Sequence, residues 1–172
     1  MKRLVSLAAL TAAIAVAGCS KKAEPEQLPP PPATVETGAP QRPTPTPTGP
    51  VAGSNADFLA QMQGRNVIYF DTDKYDIDAT DQVALRAQAE WLQRYPAKRA
   101  TIEGHADERG TREYNIALGE RRATAAKNYL VSLGVDASRL NTVSYGKERP
   151  VALGSNEAAW AQNRRAATIT ID

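Results

Sequence analysis

The stretch ATIEGHADERGTREYNIALGERRATAAKNYLVSLG, residues 100–134, decides the fold. ATIEG is short, contains β-branched residues and closes on a glycine, which reads as a strand. Ile116, Gly119, Ala123, Ala126, Leu130 and Leu133 then recur at steps of three and four, the spacing of one buried helix face, and Gly134 stands where a C-terminal cap is wanted. Between strand and helix, residues 104–123 hold eight charged side chains and the only histidine of the chain. A strand that passes through a turn into a helix is the repeating unit of an α/β layer.

The same unit recurs on both sides. NVIYF, residues 66–70, reads as a strand, preceded by a short amphipathic segment at NADFLAQMQG. Asp78 is placed to cap a helix on which Ala84, Ala87, Trp91 and Tyr95 share a face and which must stop before Pro96. Downstream, LNTVSYG predicts a third strand, NEAAWAQN a short helix and AATITI a fourth strand. The order βαβαβαβ predicts an α/β sandwich with right-handed crossovers between parallel neighbours and leaves the strand order open.

The flanks differ in kind. Ten of the twelve prolines lie between Pro25 and Pro50, in a segment too poor in large apolar groups to offset its ordering entropy. Residues 19–54 are therefore expected to form a disordered, proline-rich tether, reaching about 110 Å if wholly polyproline II and about 30 Å as a flexible coil. Residues 55–172 are expected to be one folded domain, of a common size for a single core. The N-terminus MKRLVSLAALTAAIAVAGCS has the basic start, apolar run and small residues of a secretory signal, residues 1–18. Val16, Ala17, Gly18 and Cys19 resemble the bacterial lipobox, which implies cleavage before Cys19, acylation of its thiol and, with Ser20 following, sorting to the outer membrane. No second cysteine exists to pair with it. Lys2 and Arg3 account for the formal net charge of +2, since setting them aside leaves 19 basic and 19 acidic residues. A near-neutral mature chain lacks the basic field that drives nucleic-acid binding.

Two acidic turns, DTDKYD and HADERG, fall where a strand hands over to a helix. In open α/β sheets ligands enter at the carboxyl ends of the strands, and helix N-termini there attract anions. With Asp73 and Asp107 to hold a cation, the crevice suits a small zwitterion. Asn115, Leu118 and Arg122 form a stripe beside the expected buried one, which places Arg122 at the rim as a planar fork for a carboxylate and predicts that the fold survives without it. Enzymatic readings are weaker. A lone His105 cannot form a catalytic zinc site and is expected to cap the strand end. No serine has a nucleophile-elbow context, and only Asp73 and Asp107 offer the carboxylate pair of a glycosidase. Asn163 to Arg165 are either a clamp at the last strand or part of a partner surface.

YFDTDKYDI, GHADERGTREYNIALGERRA, VSYGKERP and NEAAWAQNRRA, in this order and spacing, closely resemble the OmpA-like domain family, in particular its lipidated, peptidoglycan-associated members. The resemblance covers most of residues 67–167. It implies an OmpA-like two-layer sandwich with a mixed sheet, and a non-enzymatic grip on the diaminopimelate of the peptidoglycan stem peptide. By that resemblance Asp107 and Arg122 meet the amino and carboxylate groups, while Thr72, Asp73, Arg109, Asn115 and Leu118 supply further contacts. It further implies a periplasmic domain held to the outer membrane by the Cys19 lipid. TolB and other Tol-Pal components are the implied partners, with a role in envelope integrity and in outer-membrane constriction at division; the alternatives are a lipid-anchored peptidoglycan hydrolase and an OmpA-like anchor of another envelope machine. No metal or other cofactor is expected.

Overall fold

The computed structural model describes residues 49–171. The expected signal, Cys19 and residues 19–48 of the expected tether lie outside the described residues. The elements are α1 (Asn55–Met62), β1 (Val67–Tyr69), α2 (Ala79–Arg94), β2 (Arg99–His105), α3 (Arg112–Ser132), β3 (Leu140–Gly146), α4 (Glu157–Asn163) and β4 (Arg165–Ile171), with one 3-10 turn at Ala137–Arg139. The expected strands and helices are all present, although β1 is three residues long rather than five.

The four strands form one sheet in the order β1-β4-β2-β3. β4 runs antiparallel to both neighbours, and only β2 and β3 are parallel. The sheet is mixed, and a single pair of strands keeps the parallel arrangement that strand-helix alternation predicts. The last strand enters the middle, where Ala166 lies opposite both Ile68 and Gly104. Helices α2 and α3 supply the second layer, over a core that includes Ile68, Leu85, Leu92, Ile102, Ala123, Leu130 and Ala166.

Local chemistry explains where the elements begin and end. Asp78 caps α2 and exchanges hydrogen bonds with Asp81 across the first turn, satisfying two amide donors at once. At the end of α3, Gly134 takes φ +94°. Its N–H donates to Val131 O, and that of Val135 to Leu130 O, closing the helix by paired bonds that a left-handed residue permits. The buried face of α2 runs through Leu85, Gln88 and Leu92, with Ala87 and Tyr95 only partly covered. Periodicity of apolar residues misses Gln88, whose amide donates to Arg65 O and accepts from the Thr168 hydroxyl within the core.

Candidate functional site

Both acidic turns sit at the same end of the sheet. The β1–α2 connection carries Thr72 and Asp73, the turn after β2 carries Asp107 and Arg109, and the first half of α3 carries Asn115, Leu118 and Arg122. All seven line one cavity of about 250 Å³, together with Ala106, Gly110 and Tyr114.

Arg122 is not at the rim. It is 0 % exposed, and its guanidinium donates to Lys74 O at 2.9 Å, His105 O at 2.8 Å and Asp71 O at 3.0 Å. Three of its five N–H groups thus tie the β1–α2 loop and the end of β2 to α3. Burial, and then the nearby Arg164 cation, lower its pKa to about 10. Asn115 and Leu118 are buried with it, while Ile116 and Leu133, expected in the core stripe, are only partly covered. The cause lies at Gly119 and Gly104, whose backbones meet with no room for a Cβ on either. This contact sets α3 so close to the sheet that the Asn115, Leu118 and Arg122 face turns beneath the loops.

Asp107 is 7 % exposed and already engaged. Oδ1 accepts from the Arg109 backbone N–H at 3.1 Å and from Arg109 Nε at 3.0 Å, Oδ2 accepts from Arg109 Nη2 at 2.7 Å, and Arg164 Nη1 lies 3.5 Å from Oδ2. Burial works to raise the Asp107 pKa, but the hydrogen bonds from Arg109 prevail and hold it below the ordinary value. Asp73 takes φ +56° and accepts from the Tyr114 hydroxyl. Thr72 Oγ1 accepts from Arg109 at 3.3 Å, and the Asn115 amide donates to Arg109 O.

A supporting layer escaped the reading of the sequence. Lys147 Nζ donates to the carbonyls of Glu108 and Gly110, the Trp160 indole donates to Glu108, and the Arg109 guanidinium lies 4.3 Å from the Trp160 ring centre. Tyr114 was legible as an aromatic beside Asn115, but its bond to Asp73 spans 41 positions. Asn163 and Arg164 act as clamps. The Asn163 side chain bonds the backbone of Val151 and Ala152, and Arg164 bonds Phe70 O and Glu157.

His105 does not cap the strand. Its ring is buried against Tyr145, and neither ring nitrogen has a hydrogen-bond partner. Burial, then the Arg165 and Arg149 cations, lower its pKa from 6.5 to about 4. The unfolded chain takes up a proton near 6.5 that the folded chain refuses until about 4, so the associated stability is complete above 6.5 and is lost as pH falls through that window. The gap corresponds to about 3 kcal/mol. Urea unfolding at pH 7 and pH 4.5 should show a larger loss for wild type than for His105→Asn, and equal losses would refute the assignment.

The OmpA family is matched over residues 69–164, the segment that builds this cavity. A protein of Agrobacterium fabrum named peptidoglycan-associated lipoprotein is 46% identical over 169 residues, 98% of this chain and 89% of that one. The chain belongs to the peptidoglycan-associated lipoproteins of the OmpA family. A Haemophilus influenzae protein of the same name is 54% identical over 109 residues, 63% of this chain and 71% of its own. The crystal structure of the peptidoglycan-associated lipoprotein from Burkholderia pseudomallei is similar at a TM-score of 0.64 and 42% identity, covering 69% of this chain and all of that one. The C-terminal domain of Helicobacter pylori MotB, 19% identical with a TM-score of 0.58, shares the OmpA-like fold. No helix among the described residues is long and apolar enough to cross a membrane.

Proposed function

We propose that the chain is an outer-membrane lipoprotein, cut after residue 18 and acylated on Cys19, whose domain at 55–172 reaches into the periplasm on the 19–54 tether. That domain binds peptidoglycan non-covalently through the diaminopimelate of the stem peptide and so couples the outer membrane to the wall. The carrying observation is the charge pattern of one cavity, where Asp73 and Asp107 meet Arg109 and Arg122 around about 250 Å³. Ligand pockets for whole small molecules run from about 300 to 1,000 Å³, so this space suits the zwitterionic end of an amino acid rather than a larger molecule. The names of the relatives support peptidoglycan over nucleic acid as the partner. TolB and other Tol-Pal components complete the proposed assembly, with TolB competing for an overlapping surface, in support of envelope integrity and of constriction at division.

A lipid-anchored hydrolase fits less well. A glycosidase needs one carboxyl held protonated as general acid, whereas Asp107 is kept ionised by Arg109. The decisive titration sets a diaminopimelate muropeptide against the wild-type chain and Asp107→Asn. Charge-assisted hydrogen bonds in a sheltered site contribute about 1.5 to 3 kcal/mol, and stranding a partner adds to the loss, so the variant should bind about tenfold to a thousandfold more weakly. Wild-type affinity in a folded Asp107→Asn chain would remove the site, and release of soluble wall fragments would favour the hydrolase.

A further inference from the structure

In the free chain Asp107, the acid expected to take the ligand's ammonium, is occupied by a guanidinium of the chain itself. Arg109 meets both carboxylate oxygens, at 3.0 and 2.7 Å, and rests on the Trp160 ring. The pairing spans two positions of one turn, and the backbone of that turn is held from elsewhere by Lys147 and Asn115. The Arg109 side chain is 39% exposed against 9% for Asp107, so the arginine is the member free to move. Arg122 cannot take over as a mobile cation, because three backbone carbonyls hold it.

We propose that Arg109 is an internal substitute for the ligand's cation and that recognition is an exchange of ion pairs. The ligand's ammonium takes Asp107, and the displaced Arg109 guanidinium turns to the ligand's carboxylate. This rests on the reading of the cavity as a zwitterion site. A ligand carrying both charges replaces each partner it separates, whereas an amine alone leaves Arg109 without its counter-ion. Arg109 then acts against simple amines, a specificity achieved by penalising the wrong ligand.

The test compares the full chain with Arg109→Ala, using muropeptides that carry diaminopimelate or lysine. Exchange predicts that the variant binds the lysine muropeptide tighter than wild type, by about threefold to tenfold, while the diaminopimelate muropeptide weakens. It also predicts, without any ligand, that the Asp107 carboxyl titrates at higher pH in Arg109→Ala when followed by NMR. Lysine-muropeptide affinity that stays constant or falls in the variant makes Arg109 a plain ligand contact and overturns the exchange. An unchanged Asp107 titration does the same, by showing that the pair does not form in solution. If wild type binds neither muropeptide, the zwitterion reading of the cavity fails and the exchange with it. Diaminopimelate binding without the lysine gain removes the exchange alone.

Discussion

Arg122→Ala is expected to unfold most of the chain. The arginine is wholly buried and is the hydrogen-bond donor to the carbonyls of Asp71, Lys74 and His105. Truncation strands the buried His105 carbonyl and leaves the part-buried carbonyls of Asp71 and Lys74 without their donor, at up to about 1 to 3 kcal/mol each, against a total stability of about 5 to 15 kcal/mol for a domain. The lost volume beside Phe70, whose ring centre lies 5.1 Å from the guanidinium, adds a cavity. Arg122→Lys keeps the charge but reaches the three carbonyls with a single ammonium, so it should fall between wild type and alanine. Circular dichroism melts of the three proteins check the order. A superimposable melt for Arg122→Ala would return the residue to the rim and make it a ligand contact alone.

Gly104→Ala should be of similar severity for a different reason. Gly104 on β2 faces Gly119 on α3, and a Cβ at residue 104 would overlap the Gly119 carbonyl. The obstacle is backbone, which cannot turn aside as a side chain can. Overpacking a core with one methyl group typically costs about 1 to 3 kcal/mol, and about 4 or more is expected where a whole helix must lift. Lifting α3 would also break the bond from Ser144 Oγ to Ile116 O and carry Asn115, Leu118 and Arg122 away from the acidic turns. The folded fraction should therefore lose muropeptide binding as well. Gly49→Ala is the control, since a Cβ added there would meet nothing within 4 Å beyond its chain neighbours. Equal urea midpoints for both variants would show that the close approach is not needed.

Much of the site was legible because its residues are grouped by short-range rules. Asp73 and Asp107 fall in the two acidic turns and Asn115, Leu118 and Arg122 on one helical stripe, so these five could be collected before any tertiary contact was known, whereas Thr72 and Arg109 entered only through the family resemblance. Their roles were less legible. Helical spacing puts Arg122 at the rim because it separates apolar from polar residues, and that separation assumes that a polar residue faces water. A buried arginine reverses the assumption when enough carbonyls converge on it. The free-state engagement of Asp107 was likewise hidden, because Arg109 two positions on could equally have pointed outward.

Local features of the chain set the order and type of the elements. Caps, prolines, glycines and periodicity act over a few residues and need no partner from afar, as Asp78, Pro96 and Gly134 show. Tertiary structure alone decided that β4 enters the middle of the sheet antiparallel to both neighbours, since several pairings can cover the same apolar faces. It also decided the state of Arg122, whose acceptors at Asp71, Lys74 and His105 lie 51, 48 and 17 positions away. Hydrogen bonds of that reach exist only after the loops and the sheet have closed over the helix, so no local pattern in the chain can announce them.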